Sequence, residues 1–264
     1  MYEAYWGLSR APFQNVPDPA FFCPLPVHLE VLGRLPYVVD HGKGAALLTG
    51  EVGCGKSTLG RVFLSQLDAS KYDVGLVINP ALAGRDLLHE IALQLGLSRP
   101  SPHRSVLLRA LADHLLANAE RGAATVLIVD EAQTIADEAV FEDLRMLLNF
   151  QLNDRYLLSL ILLGLPELRT RLARLPSLNQ RIAFRLNLSF LNPEETAFYI
   201  TFRLKKAGAT APIFTDQAMD LVYRETGGIP RSINNLCDLC LYDGWKRRAE
   251  AVDASVVEAA LAFV

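Results

Sequence analysis

The sequence predicts an α/β protein with a parallel β-sheet between layers of helices, followed by a small, all-helical domain. Aliphatic runs of strand length, "TVLIV" at 125–129 and "LLSLILLG" at 157–164, alternate with helical segments, as in sheets that are covered on both faces. From Asn192 onward the pattern is helical, beginning with "NPEETAFYITFRLKKAG". A chain of 264 residues, 51% of them hydrophobic, is long enough to bury a sizeable core.

The segment "LLTGEVGCGKSTL" at 47–59 has the spacing of a phosphate-binding loop between a predicted strand at 45–49 and a predicted helix at 57–67. It fits the pattern G-x-x-x-x-G-K-[ST], in which backbone N–H groups converge on phosphates. We expect Lys56 to reach the outer phosphates and the Ser57 hydroxyl to bind Mg²⁺. The loop residues expected to bind the nucleotide are Gly50, Glu51, Val52, Gly53, Cys54, Gly55, Lys56, Ser57 and Thr58.

Two carboxylates follow the aliphatic run "TVLIV", as expected where a buried parallel strand delivers acids to the carboxyl edge of a sheet. In the phosphate-loop setting, Asp130 is expected to bind Mg²⁺ through water, and Glu131 to orient and polarise the attacking water. An adjacent acid pair that merely begins a loop is the alternative. Together the two motifs favour binding of ATP and Mg²⁺.

The sequence predicts a cytosolic protein, because it shows neither a membrane span nor a signal peptide. Lys and Arg number 26 and Asp and Glu 29, so the net charge of -3 gives no sign of binding to nucleic acid or anionic membranes. The longest apolar run, "YLLSLILLGL" at 156–165, is shorter than the roughly 20 residues of a membrane span, and the N-terminus lacks the features of a signal peptide. The C-x-x-C pair Cys237 and Cys240 is interpreted as two buried helix cysteines, not as a metal site.

Several segments together resemble the ExeA/GspA family of AAA+ ATPases, which are associated with secretion. They are the opening "MYEAYWGLSRAPFQNVPDP", the phosphate loop, "LIVDEAQ", "GLPELRTRL", "NQRIAFRL" and "GGIPRSINNLCD". The resemblance covers nearly the whole chain. It implies a P-loop AAA+ module with a helical lid: an adenine-contacting segment and first helix at 1–43, an α/β nucleotide-binding domain at 44–190, and the lid at 191–264.

The resemblance also implies roles for two arginines. Arg231 in "GGIPRSIN" would be the lid arginine that contacts the outer phosphates and couples nucleotide state to the lid. Arg181 would be supplied to the nucleotide of a neighbouring subunit, with Arg185 as second choice. Arg171 and Arg174 stay open as alternatives, since an arginine that merely lies on a solvated helix face cannot be told from a trans arginine by sequence.

The resemblance gives further expectations for single positions. Asn79, at the end of the strand "VGLVIN", would restrain Glu131 until ligand binds, with an asparagine that caps its own loop as the open alternative, and Pro17 would pack near the adenine. Where the family has "GQPEL", Leu165 stands in place of the glutamine, so hydrolysis is expected to be slow. Pro36 interrupts a predicted helix and is expected to end or kink it there.

Three functions follow from the resemblance and stay open at this point. The favoured one is a nucleotide-dependent homo-oligomer that assists assembly of a secretion system or pilus, in the cytoplasm or peripheral to the inner membrane. The second is an ATP-gated, DNA-binding adaptor of a transposition system, related to TniB. The third is a slow nucleotide switch that acts as a scaffold.

Overall fold

The computed structural model describes residues 1–82 and 84–263, and the chain forms two compact units. The helical unit comprises Met1–Leu25, Val52–Thr58 and Ser189–Val264, and the sheet unit comprises Pro26–Glu51 and Leu59–Leu188. The segments expected from the sequence, 1–43, 44–190 and 191–264, were defined by their expected roles in nucleotide binding. The two units are defined by contacts between residues, so the expected division stays a prediction. Val264, the last residue of the third segment, lies outside the described residues.

The sheet unit contains one parallel sheet, with strand order β2-β3-β4-β1-β5 among the described residues. Every residue of its central strands β1 and β4 is buried, which explains why their sequences are mostly aliphatic. The carboxyl ends of parallel strands meet at one edge, so this edge carries the residues that follow each strand. The strands are β1 (Ala45–Gly50), β2 (Tyr72–Val77), β3 (Ala124–Val129), β4 (Leu158–Gly164) and β5 (Ile182–Leu188).

Helices precede, connect and follow the strands. Helix α2 continues past Pro36 to Asp40, so the proline does not end the helix, and a kink at Pro36 stays a prediction. In chain order the α-helices of the described residues are α1 (Tyr2–Tyr5), α2 (Pro26–Asp40), α3 (Lys56–Gln66), α4 (Gly84–Gln94), α5 (Arg104–Glu120), α6 (Glu138–Leu147), α7 (Pro166–Ala173), α8 (Pro176–Asn179), α9 (Pro193–Lys206), α10 (Asp216–Thr226), α11 (Pro230–Arg247) and α12 (Ala254–Leu261). Two short 3₁₀ helices span Pro19–Phe21 and Ala132–Thr134.

The core of the sheet unit lies between the strands and their covering helices. Leu47, Leu127 and Leu160 from the strands are buried in one cluster with Leu88 of α4 and Phe141 of α6. Burial of such side chains stabilises the fold by roughly 1.5–3 kcal/mol each. This core fixes the strands whose ends carry the acidic residues.

Side-chain caps define the helices of the helical unit. Asn192 and Glu195 form a reciprocal capping box at the start of α9, where the helical pattern of the sequence begins. Thr215 caps α10 and Asp253 caps α12, each by accepting a hydrogen bond from a backbone N–H of the first turn. These bonds satisfy backbone N–H donors that the start of a helix leaves unpaired. The capping residues therefore determine where each helix begins.

The first 25 residues belong to the helical unit because α9 and α11 hold them there. The buried Arg203 of α9 donates to Pro12 O at 2.6 Å, to Gln14 O at 3.0 Å and to the Tyr199 hydroxyl at 2.7 Å. Trp6 Nε1 donates to the carbonyl of Leu241 in α11 at 2.9 Å. A buried guanidinium is costly unless its donors are satisfied, and here chain carbonyls satisfy them.

The C-x-x-C pair lies on α11, where both thiols are free and fully buried, so the interpretation as buried helix cysteines is confirmed. Burial raises the pKa of Cys240 to about 12, and it also raises the pKa of Cys237 well above its usual value. No helix in residues 1–82 and 84–263 has the length and apolarity needed to cross a membrane.

Candidate nucleotide-binding site

The phosphate loop connects the end of β1 at Gly50 to the start of α3 at Lys56, so the predicted strand–loop–helix arrangement is confirmed. Gly53 has φ +83° and Gly55 has φ +99°, a left-handed backbone conformation that side chains with a Cβ rarely adopt. The two glycines are therefore required by the backbone path itself. The loop leads directly into a helix N-terminus, which carries partial positive charge.

The side chains of the loop divide into buried and exposed ones. Lys56 is 5% exposed and its Nζ lies 4.0 Å from the Cys54 sulfur, which is itself buried. Val52 is 58% exposed, and Ser57 in the first turn of α3 is half-buried. The lysine stem is thus held in place while the loop backbone stays near the surface.

Gly53 also contacts the start of α11, within the helical unit. Its carbonyl accepts a hydrogen bond from the Arg231 N–H at 3.3 Å. A Cβ added at Gly53 would lie 2.9 Å from Arg231 Cβ and 3.1 Å from Ile229 Cγ2. The "GGIPR" turn is fixed in a similar way, since a Cβ at Gly228 would lie 2.0 Å from the Leu191 carbonyl oxygen. The expected lid arginine therefore begins its helix in backbone contact with the phosphate loop.

Two carboxylates stand at the carboxyl end of β3, as predicted. Asp130 is 5% exposed, and its N–H continues the pairing with β2 through Val77 O at 2.8 Å. Glu131 has φ +52°, a left-handed conformation that is uncommon outside glycine, and its N–H donates to Asp130 Oδ1 at 2.9 Å. Such backbone strain is typical of residues that a functional site holds in a fixed direction.

The loop residues fit the phosphates of a nucleotide. The left-handed glycines add no Cβ to the loop, and Lys56 carries a compensating positive charge. Considered separately, Ser57 of the helical unit has a hydroxyl and Asp130 of the sheet unit has a carboxylate, and each is an oxygen ligand of the kind that Mg²⁺ prefers.

One residue of this region has no assigned role in the sequence motifs. Gln133, in the short helix after Glu131, donates from Nε2 to Glu131 Oε2 at 2.5 Å. Its Oε1 accepts the N–H of Leu165 at 3.1 Å, just past the end of β4. The signal available from sequence was its place two residues after Glu131 in "DEAQ", but nothing there indicates the partner on β4.

A family model described as an AAA domain matches residues 39–172, about half of the chain. The matched range begins in α2, includes the phosphate loop and the acids after β3, and ends in α7. The chain belongs to the AAA family. Its nucleotide motifs therefore lie within the part that defines the family.

This AAA protein is similar over nearly its whole length to a secretion protein. General secretion pathway protein A of Aeromonas hydrophila is 39% identical over 256 residues, covering 96% of this chain and 46% of the relative. The resemblance to the ExeA/GspA family is thereby confirmed. The chain spans less than half the length of this relative.

Solved structures with low sequence identity share the fold. The Aeropyrum pernix ORC2 protein in its ADPNP-ADP complexes is 16% identical with a TM-score of 0.71, covering 97% of this chain and 71% of that one. The RuvB Holliday junction branch migration motor of Thermotoga maritima is 19% identical with a TM-score of 0.59, covering 89% and 68%. At these identities the likeness shows the fold alone, and it confirms the predicted AAA+ α/β fold with a helical lid.

The structure of this AAA protein places Asn79 just after β2, where it is exposed. Its Oδ1 accepts the N–H of Ala81 at 3.3 Å, a bond within its own turn. The side-chain partner of Glu131 is Gln133 instead. The expected restraint of Glu131 by Asn79 stays a prediction.

The candidate trans arginines differ in how the chain itself holds them. Arg181 donates to the Ser177 carbonyl and, at 2.8 Å, to Asn149 Oδ1. Arg185 donates to Asn179 through both its carbonyl and its side chain, at 2.7 and 2.9 Å. Their role toward a second subunit stays a prediction.

The other two candidate trans arginines, Arg171 and Arg174, differ in their contacts and exposure. Arg171 binds the carbonyls of Ile135 and Ala136 and stacks over the Phe141 ring, so it fixes the loop after Glu131. Arg174 is exposed at the end of α7. Arg171, like Arg181 and Arg185, thus donates to groups of its own chain, and the choice among the four for the predicted trans role stays open.

Pro17 lies in the N-terminal segment of the helical unit, half-buried and next to a tight turn. In that turn the Asp18 N–H donates to Val16 O at 2.8 Å, and the Asp18 side chain caps the following 3₁₀ helix. The proline suits such a turn because its φ is fixed. Packing of Pro17 near adenine stays a prediction.

Proposed function

We propose that this chain binds and hydrolyses ATP, and that its nucleotide cycle serves assembly of a secretion system or pilus at the cytoplasmic face of the bacterial inner membrane. The observation that carries the nucleotide part is the loop in which left-handed Gly53 and Gly55 lead into Lys56 at the N-terminus of α3. The similarity to General secretion pathway protein A supports the cellular role.

In this proposal the phosphates bind to the loop N–H groups and to Lys56, where the helix N-terminus favours negative charge. Ser57 and Asp130 would hold Mg²⁺, which when bound supplies positive charge beside the phosphate oxygens. Glu131 orients the attacking water and accepts its proton. Arg231 contacts the outer phosphates.

The test compares two variants in nucleotide binding and turnover. Lys56→Ala removes the phosphate-binding cation and is expected to lose ATP binding. Glu131→Gln keeps the shape of the side chain but not its basicity, so it should bind ATP normally and turn over about 10²–10⁴-fold more slowly. Full ATPase activity of Glu131→Gln would rule out the assignment.

We propose further that the active form is a nucleotide-dependent homo-oligomer in which Arg181 reaches the nucleotide of a neighbouring subunit. An arginine supplied in trans neutralises charge in the transition state and raises phosphoryl-transfer rates by about 10³-fold or more. Arg181→Ala mixed with Lys56→Ala should form some complete sites and regain activity. No recovery at any mixing ratio would contradict the role of Arg181.

The DNA-adaptor alternative has weaker support. The basic clusters Lys205-Lys206 and Lys246-Arg247-Arg248 are exposed at the ends of α9 and α11, where cations stabilise a helix C-terminus without any ligand. The two functions differ in the assemblies formed by Glu131→Gln with ATP and Mg²⁺. Closed oligomers indifferent to duplex DNA would support the secretion role. Long, salt-sensitive assemblies that require DNA would favour the adaptor.

A further inference from the structure

The Gln133 amide bridges two parts of the sheet edge. Its Nε2 donates to Glu131 Oε2 at 2.5 Å and its Oε1 accepts from the Leu165 N–H at 3.1 Å. The orientation of this amide is dictated by its partners, because a backbone N–H can only donate and an ionised carboxylate can only accept. The bridge therefore joins the carboxylate after β3 to the first backbone donor after β4.

The Gln133 side chain lies in a slot that β4 leaves open. Gly164 ends this strand, and a Cβ added there would lie 2.8 Å from Gln133 Oε1 and 2.6 Å from Leu168 Cδ2. Any residue other than glycine at position 164 would thus push against the amide. Because the slot is this narrow, the amide has little room to rotate away from its two partners.

The backbone on either side of Gln133 is fixed as well. The Thr134 hydroxyl and N–H both donate to the Glu131 carbonyl, each at 2.8 Å. Arg171 of α7 reaches across to the carbonyls of Ile135 and Ala136. Main chain and side chain of Gln133 are therefore both held from the sheet edge, as expected of a support for an oriented group.

We propose that Gln133 is a positioning residue for ATP hydrolysis, an inference that rests on the proposed role of Glu131. Gln133 holds the Glu131 carboxylate by one oxygen, Oε2, and leaves the other oxygen directed for the attacking water. Within residues 1–82 and 84–263, Oε1 of Glu131 makes no hydrogen bond. Without the amide, the carboxylate samples several rotamers, and only a fraction of them are productive.

Two substitutions separate the parts of the bridge. Gln133→Met keeps the length and volume of the side chain and removes both hydrogen bonds. Gln133→Glu keeps an acceptor for the Leu165 N–H but places a second carboxylate against Glu131, and two like charges at this distance repel. We expect the turnover number to fall about 10- to 100-fold in Gln133→Met and further in Gln133→Glu.

A positioning role is identified by a fall in the turnover number without a change in ATP affinity. Since Gln133 orients the base and does not bind phosphate, the KM for ATP and the dissociation constant of a fluorescent ATP analogue should stay within about twofold of wild type. The matched control is Gln94→Met, because Gln94 donates to Glu90 Oε1 at 2.9 Å in an exposed pair on α4. This control removes the same kind of bond and should leave turnover unchanged.

Three outcomes would overturn the inference. Turnover at the wild-type level in both Gln133 variants would mean that Glu131 needs no support. Faster turnover would mean that Gln133 restrains Glu131. A higher KM with unchanged turnover would assign Gln133 to nucleotide binding.

Glu131→Gln, assayed in parallel, separates this inference from the proposed function. If Glu131→Gln is inactive and the Gln133 variants are fully active, only the proposed role of Gln133 is contradicted. If Glu131→Gln is active, the proposed roles of Glu131 and Gln133 are both contradicted. A urea-unfolding cycle over Glu131→Met, Gln133→Met and the double variant measures the contact without any activity, because methionine at position 131 cannot accept the Gln133 hydrogen bond. Strictly additive midpoint shifts in that cycle would also overturn the proposal, because bonded side chains are expected to couple.

Discussion

In the phosphate loop the groups expected to bind the nucleotide are mostly backbone N–H groups, whereas in the segment after β3 they are side-chain carboxylates. The loop obtains its shape from Gly53 and Gly55, whose left-handed φ values are set within six residues of sequence. Glu131 obtains its direction from Gln133, which in turn depends on Leu165, 32 residues further along the chain. Local backbone conformation thus shapes the phosphate loop, which Arg231 contacts, whereas the direction of Glu131 depends on a side-chain bridge to the end of β4.

The largest expected effect is on ATP binding, and its dependence on Mg²⁺ distinguishes the phosphate loop from the acids after β3. Lys56→Ala should weaken ATP binding by at least about 100-fold, with or without Mg²⁺, since a charge-assisted phosphate contact is lost. Asp130→Asn should weaken it only when Mg²⁺ is present. Calorimetric titration with and without the metal measures both. Equal effects of Asp130→Asn in the two conditions would contradict its assignment as a metal-binding residue.

A second substitution tests whether the loop backbone sets phosphate affinity. Gly53→Ala combines a left-handed φ with a Cβ 2.9 Å from Arg231 Cβ, so we expect ATP to bind about tenfold more weakly. Gly96→Ala is the control, because Gly96 has the same φ of +83° and open space around it. The left-handed φ should cost each variant about 1–2 kcal/mol of unfolding free energy, and Gly53→Ala should lose more because of its contact with Arg231. Similar losses of ATP affinity in the two variants would show that strain alone, not the loop, lowers binding.

Alkylation of Cys54 tests how closed the loop is. The thiol is 1% exposed, so iodoacetamide should modify it far more slowly in the folded protein than in the unfolded chain. Once modified, the loop should no longer bind ATP, and bound ATP should slow the modification further. Mass spectrometry of the loop peptide follows the reaction. Rapid alkylation that leaves ATP binding intact would place Cys54 away from the phosphates.

The smallest expected effect concerns the tip of β4. Leu165→Gln restores a polar side chain next to the Glu131–Gln133 bridge but leaves the backbone N–H that Gln133 uses. We expect turnover to rise a few-fold, with unchanged ATP affinity, if the leucine is what makes hydrolysis slow. Steady-state ATPase assays measure this. A fall in turnover would indicate that the leucine supports the bridge by packing.

The prediction from sequence was most reliable where the constraint is short in range. The strand–loop–helix arrangement around Lys56, the strand before Asp130 and the helix that begins at Asn192 are each set by neighbouring residues, and each is present. Pro36 does not end α2, although local propensity alone would place a proline at a helix end.

The sequence by itself determined the α/β fold class, the phosphate loop and the acid pair, because glycine spacing and aliphatic runs act on the chain locally. Only the tertiary structure decided which side chains support them. Arg203 reaches Pro12, 191 residues away, and Gln133 joins Glu131 to Leu165. Hydrogen bonds of this kind require distances of about 3 Å between atoms far apart in sequence, and folding alone brings such atoms together.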